Sequence, residues 1–369
     1  MAYMDQKPLE GISVIEFGDS EAAGACTLML SDFGANVIKL MPLDTEKGEC
    51  ATGEFKVSDR GKKRFYFDQK EDIDRVLFLI GMADAVVDGC GPGKLEKIGI
   101  TEKVLKEWNP GLIYASVTGY GTKGPLSERP YSEAAVQAES GFVSTTGPEG
   151  GDPVRCGGDI ATFTGGMTTC IAVLMALIDK MENNRGRFMD ISMMDSLVYG
   201  LENQLSLSIK TGVVPKPKGN NYALSAPVGN FPCKDGEIMI SVATEAQFAA
   251  FAQVLGREDW LEKLEYCNVT RRIQNYRMLG KEVSEVFSQY TCKELMELLQ
   301  TRSCIYGKIN TFDAVVAHPQ VAARGMIIEA EDPYGNPFKM PGNPVIVNGK
   351  HMEKKKIFPA ERLEKAKGI

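Results

Sequence analysis

The chain has 369 residues, more than one hydrophobic core usually supports, so two domains are expected. Apolar residues at 43% and charged residues at 25% are ordinary for a globular protein and exclude a disordered or fibrous chain. Asp and Glu outnumber Lys and Arg by 49 to 42, a net charge of −7 that argues against a nucleic-acid partner. The first 120 residues then alternate strand and helix signals. Residues 12–17 (ISVIEF) form a β-rich run, and the small residues of 21–26 lead into an apolar-periodic helix ending near Gly34. Strands follow at 36–41 and 64–68, a helix at 72–82, a buried strand at 85–88, short helices after Pro92 and Thr101, and a strand at 112–117. This alternation predicts an α/β fold with a mostly parallel sheet covered by helices on both faces.

From Tyr131 the pattern turns helical, at 131–142, 161–181 and 193–208, with a strand at 187–192. Residues 1–211 therefore read as the first part of a large domain. The non-periodic 212–225, with two prolines and two glycines, reads as a linker. A smaller α/β domain is predicted over 226–308, and 309–369 as a return to the large domain ending in a solvated, basic tail after Lys354. The uncharged stretch 160–178 is rich in Thr and Gly in its first half, so it reads as a buried helix and not a membrane span.

Only two histidines are present, His318 and His351, so chemistry built on a His base or several imidazole ligands is disfavoured. Nine cysteines form no C-x-x-C pair, and the opening MAYMDQKPLEG lacks the features of a secretory signal. Both point to reduced thiols in a cytoplasmic protein. Cys26, Cys90 and Cys156 lack a neighbouring His and read as structural.

Three motifs invite a functional reading. Gly119-Tyr120-Gly121-Thr122-Lys123-Gly124 spells G-x-G-x-x-G after a strand, but loop residues follow it where a dinucleotide fingerprint needs a helix. Lys39, Lys62, Lys63, Arg64, Lys70, Lys94 and Lys97 crowd the first hundred positions, either as a solvated face or to meet a ligand with several phosphates. Asp159, in Cys156-Gly157-Gly158-Asp159, stands immediately before the uncharged helix. As a cap, its oxygen accepts a hydrogen bond from a first-turn N–H. As a nucleophile, it is kept ionised by the helix dipole and left open by two glycines, which suits acyl transfer through an anhydride. Spacing alone favours the cap.

Several segments in order carry a resemblance. They are Pro8-Leu9-Glu10-Gly11 with the following strand, residues 25–39 (ACTLMLSDFGANVIK), Lys63-Arg64, Phe67-Asp68, Gly91-Pro92-Gly93 and 109–116 (NPGLIYAS). Gly157-Gly158-Asp159, Met189-Asp190-Ile191-Ser192 and 318–326 (HPQVAARGM) complete the set. Together they resemble the family III CoA-transferases, a group that also includes 2-methylacyl-CoA racemases. The resemblance implies a Rossmann-like large domain, an inserted small domain and an interlocked homodimer. It implies coenzyme A and acyl-CoA as substrates with a small carboxylic acid, no metal, and no membrane or nucleic-acid partner. By the same resemblance Asp159 is the catalytic nucleophile, passing through an aspartyl anhydride and an aspartyl-CoA thioester. Glu21 and Ala22 fall at the pantetheine or thioester end, and Phe67, Asp68, Gln69 and Lys70 at the adenine pocket. Gly89, Cys90 and Gly91 fall beside CoA, and Lys97 where an Arg commonly meets phosphate.

The chain departs from the family pattern in places. Ser132-Glu133 stands where the racemases carry His-Asp, which argues against racemisation. Met41 replaces a common Glu, and Gly89-Cys90 replaces an Asn-aromatic pair. These two changes motivate an alternative, a CoA-binding partner subunit without catalysis.

Overall fold

The computed structural model describes residues 7–43, 55–222, 224–302 and 304–365. The opening hexapeptide, the 44–54 stretch with Cys50, linker position 223, and residues 303 and 366–369 lie outside the described residues. The chain divides into two compact units, one of 1–143, 155–215 and 319–369, the other of 144–154 and 216–318. Segment 144–154, read from sequence as part of the large domain, belongs to the smaller unit because its bonds go there. The Gly219 amide donates to the Gly147 carbonyl at 2.8 Å, and Arg277 and Tyr276 both reach Glu149.

The larger unit alternates strand and helix. It runs β1 (Ser13–Phe17), α1 (Glu21–Asp32), β2 (Asn36–Pro42), β3 (Lys63–Phe67), α2 (Ile73–Met82), β4 (Ala85–Asp88), α3 (Lys94–Lys97), α4 (Glu102–Trp108) and β5 (Ile113–Thr118). Then come α5 (Glu133–Glu139), the long α6 (Ile160–Asn183), β6 (Arg187–Ser192), α7 (Met193–Gly200) and α8 (Glu202–Thr211). The smaller unit carries an antiparallel sheet of β7 (Val228–Cys233), β8 (Gly236–Ser241) and β9 (Tyr306–Lys308), packed with helices around buried Phe251, Trp260 and Phe287. Its strand β7 has no counterpart in the sequence reading, because Gly229 and Pro232 mask its β signal. The chain closes in the larger unit with the hairpins β10 (Ile327–Glu331)–β11 (Pro337–Pro341) and β12 (Ile346–Val347)–β13 (Lys350–His351), then β14 (Ala360–Arg362).

The main sheet has seven parallel strands in the order β14-β3-β2-β1-β4-β5-β6. The described part of the tail predicted to be solvated, up to residue 365, is instead part of the fold. Ile357 is fully buried, and Ala360 pairs with Arg64 along the β3 edge. Its polarity hid this, since an edge strand needs an apolar anchor on one face only. Strand residues alternate between two cores, with Val14, Val37, Val87 and Val117 under α1 and α6, and Ile15, Leu40 and Val86 under α2. Helix α6 is long and apolar enough to cross a membrane, but here it packs on α1, where Gly166 allows close contact. A Cβ at Gly166 would lie 2.7 Å from the Ala22 carbonyl oxygen.

Candidate active site

The strand order places a crevice where chain direction across the sheet reverses, at the carboxyl ends of β1 and β4. A cavity of 1080 Å³ opens there. Asp19 and Ser20 border it after β1, Asp68, Gln69 and Lys70 after β3, and Gly89, Cys90 and Lys94 after β4. The β3 corner is held by Asp68, whose carboxylate accepts the Lys70 amide at 2.8 Å and the Glu71 amide at 3.0 Å. The Glu71 and Lys70 amide bonds hold that carboxyl below its ordinary range. Gly89 is required by contact, since a Cβ there would fall 2.6 Å from that of Ser20. Cys90 is kept protonated, because burial and the neighbouring Asp88 push its thiol up.

Three expected CoA contacts are not on this lining. Phe67 is fully buried in β3, packed edge-on against Phe17 at 6.1 Å between ring centroids. It is a core residue, because the last positions of a parallel strand still alternate into the sheet face. Gly91 is buried in the turn after β4. Lys97 is exposed on α3, outside the lining that Lys94 joins.

Three members of the basic cluster have another use. Glu16, Lys39 and Arg64 lie in register across β1, β2 and β3, on the face covered by α1. Lys39 donates to Asp19 and Asp59 at 2.8 Å each, and Lys62 donates to Glu16 and to the Thr27 hydroxyl at 2.6 Å each. Arg64 meets Asp59 at 3.1 Å. Burial opposes the charge on Lys39, but Glu16, Asp59 and Asp19 outweigh it and raise its pKa. Phosphates therefore do not reach Lys39, Lys62 or Arg64. Lys70 and Lys94 are the members of the cluster that line the crevice.

A second cavity of 620 Å³ shares Ser20 and Tyr131 with the first, so the two are contiguous. Asp159 lines it, with Glu21, Ala22 and Glu133. Asp159 does occupy the cap position of α6, but its side chain makes no capping hydrogen bond. Glu133, on α5, takes that role. Its carboxylate accepts from the Ala161 amide at 2.9 Å, and from the Thr162 amide and hydroxyl at 2.7 Å each. Partial burial pushes the Glu133 carboxyl up, but bonds from Gln137, Thr162 and the two amides outweigh it and leave it low. The expectation that first-turn donors hold Asp159 is thus corrected: the donors go to Glu133, and Asp159 is exposed to the cavity.

Gln137 completes the arrangement. Fully buried, it donates to Glu133 at 2.8 Å and to the Gly158 carbonyl at 3.3 Å, and accepts the Cys156 amide at 2.9 Å. It thereby ties the loop before Asp159 to the residue that caps the following helix. A Cβ at Gly157 or Gly158 would meet nothing within 4 Å, so the approach to Asp159 is open. Ser132, at the racemase position, caps α5 by accepting the Ala135 amide at 3.3 Å. The sequence reading missed Gln137 and Tyr131 and took Ser132-Glu133 only as a departure. The signal for Glu133 was indirect, a Ser-Glu pair at the start of a helix.

The G-x-G-x-x-G stretch is no phosphate loop. No helix opens at Gly124, where turns follow instead, and the Thr122 amide donates to Asp190 at 3.0 Å. Tyr131 fills the space beside Gly119, where a Cβ would lie 2.3 Å from its ring.

A doubly wound sheet with a crevice at its switch point and an exposed carboxylate at a neighbouring helix start defines a mixed α/β fold with a candidate ligand site. The family model for CoA-transferase family III matches residues 9–360, and the chain belongs to that family. It is 30% identical over 348 residues to a succinyl-CoA:glutarate CoA-transferase of Homo sapiens, covering 91% of this chain and 79% of that protein. It is 28% identical to an acetyl-CoA:oxalate CoA-transferase of Acetobacter aceti, covering 93% and 90%. Among solved structures, a CAIB/BAIF family protein from Brucella suis matches with a TM-score of 0.83 at 28% identity, covering 96% of both chains. The protein is a family III CoA-transferase.

Proposed function

We propose that the enzyme moves CoA from an acyl-CoA donor to a carboxylic acid acceptor through covalent intermediates on Asp159. The observation that carries this is the exchange of roles at α6: Glu133 caps the helix, and Asp159 faces the cavity unengaged. An Asp159 oxygen attacks the donor thioester carbonyl; the C–S bond breaks and CoA leaves as thiolate. The thiolate then attacks the Asp159 carbonyl of the anhydride, which releases the donor acid and leaves aspartyl-CoA. The acceptor carboxylate attacks that thioester, forming a new anhydride. Returning thiolate converts it to acceptor acyl-CoA and free Asp159.

The crevice fits the nucleotide end of CoA, with Lys70 and Lys94 as the phosphate cations and the Asp68–Lys70 turn beside the base. The pantetheine arm passes Ser20 and Tyr131 to reach Asp159. The working unit is an interlocked homodimer in the cytoplasm. An apolar stripe of exposed Ile171, Met175, Ile178 and Met181 along α6 supports a covering partner. Incubation with acyl-CoA and hydroxylamine should trap Asp159 as its hydroxamate, located by peptide mass spectrometry; a trapped residue other than Asp159 sinks the mechanism. Binding of CoA by calorimetry without exchange between any pair of acids would favour the non-catalytic reading.

A further inference from the structure

The cavity at Asp159 also bears on which acyl group is carried. It follows one face of α1, where Ala22, Ala25, Met29 and Asp32 recur at helical spacing on its wall. That stretch spans about 15 Å of helix. Helix α6 sets Gly166 against Ala22 and Ala25, so its start, with Asp159, lies at the N-terminal end of this groove. Beyond that end the wall is apolar, formed by Leu28, Met29, Phe163 and Met167, and by Pro341 and Pro344 from the C-terminal segment.

The charges on the wall are mainly acidic, with Glu21, Glu133 and Asp159 at one end and Asp32 at the other. Among the described residues Arg60 is the cation on this wall, and it is engaged. One of its terminal nitrogens donates to Asp32 at 2.8 Å and the other to the Lys354 carbonyl at 2.8 Å. The Arg60 Nε and the Ser58 hydroxyl are buried without a protein partner. Asn343 gives its amide to Asp32 at 3.0 Å. A second carboxylate on the acyl chain would enter this space with no unpaired cation among the described wall residues and with Glu133 and Asp159 at one end, whereas Asp32 is matched by Arg60 and Glu21 by Lys56. An unpaired charge removed from water is strongly disfavoured.

We propose that the acyl group carried by this enzyme is an uncharged aliphatic one, seated along α1 between Met29 and Met167, and that dicarboxylic acyl groups are rejected by charge. This rests on the transferase reading, with Asp159 as the acyl acceptor. In the acylation step the Asp159 oxygen bonds to the acyl carbon, the C–S bond breaks, and the thiolate takes a proton from solvent to become measurable free CoA.

The full chain is offered hexanoyl-CoA, isovaleryl-CoA, succinyl-CoA and glutaryl-CoA separately, and acylation is read as free CoA and as hydroxamate at Asp159. The rate per unit concentration should be at least about tenfold higher for the two aliphatic donors. Succinyl-CoA or glutaryl-CoA reacting as well as hexanoyl-CoA overturns the proposal and leaves the transferase reading standing. No acylation by any of the four overturns the transferase reading and this proposal with it. Met167→Lys adds a cation to the wall, and it should raise the succinyl-to-hexanoyl ratio by about tenfold or more, chiefly through KM. A thermal melt checks that this variant is folded. An unchanged ratio in a folded Met167→Lys overturns the placement of the acyl group along α6 and α1.

Discussion

Beneath α1, the carboxylates of Glu16 and Asp59 are locked to Lys39, Lys62 and Arg64 at 2.6 to 3.1 Å, out of contact with solvent. At the start of α6, some of the same chemistry is arranged the other way. Glu133 satisfies the helix amides, and Asp159 is left facing a cavity with no capping bond. In the first region each buried charge has an opposite charge beside it, because an unpaired ion in the interior is costly. In the second, a neighbour has taken over the structural duty, and the freed carboxylate can meet an electrophile. A cluster of charges is therefore poor evidence of a ligand site, and one charge released from its expected partner is better evidence.

The sharpest way to break this contrast is at Asp159. Asp159→Ala should lower transfer by about 10³-fold or more while changing the thermal midpoint little, since the side chain is exposed. Undiminished turnover would end the nucleophile assignment. The opposite behaviour is expected of Lys39→Met, which removes the buried cation shared by Glu16, Asp19 and Asp59 and leaves three carboxylates to Lys62, Lys56 and Arg64. It should cost about 3–5 kcal/mol in urea unfolding. Activity measured on the folded fraction should fall far less than in Asp159→Ala; a loss of activity without a loss of stability would place Lys39 in the site instead.

Glu133 sits between these extremes, half structural and half functional. Glu133→Ala leaves the Ala161 and Thr162 amides without their acceptor and should cost about 1–2 kcal/mol of stability. It should also slow transfer by up to about 10²-fold, through displacement of the Asp159 loop that Gln137 ties to it. A stability loss with unaltered kcat would show that the cap does not position the nucleophile.

The smallest effect belongs to a fully engaged carboxylate in the other unit. Glu282 accepts from Arg257, Trp260, Lys263 and Tyr266. Burial pushes its carboxyl up, but these four bonds outweigh it and hold the pKa at about 2, below the ordinary 4.5. A carboxyl lowered by folding stabilises above its unfolded pKa and loses that contribution as pH falls through the folded one. The stability difference between wild type and Glu282→Gln should thus be constant above pH 4.5 and narrow as pH drops toward 2. A difference that widens on acidification would contradict the pairing.

Much of this architecture was legible in the residues. Strands such as 85–88 and 113–118 are buried on both faces and read as short apolar runs, so the parallel sheet followed from local signals. Asp159 was legible too, as an acidic residue directly before an uncharged helix. Its state was not. Whether it caps α6 depends on Glu133, which lies 26 residues earlier on another helix and approaches only when α5 packs on α6. The fate of the lysines was equally hidden: Glu16 and Lys39 meet because parallel pairing of β1 and β2 sets their register.

By itself, then, the sequence determined the sheet type, the order of most elements and the position of an acidic residue at the start of α6, because these depend on periodicity, capping preference and short-range spacing. Tertiary structure alone decided which charges are spent on one another and which remain available. That choice depends on strand register and helix packing, through distances between residues far apart along the chain.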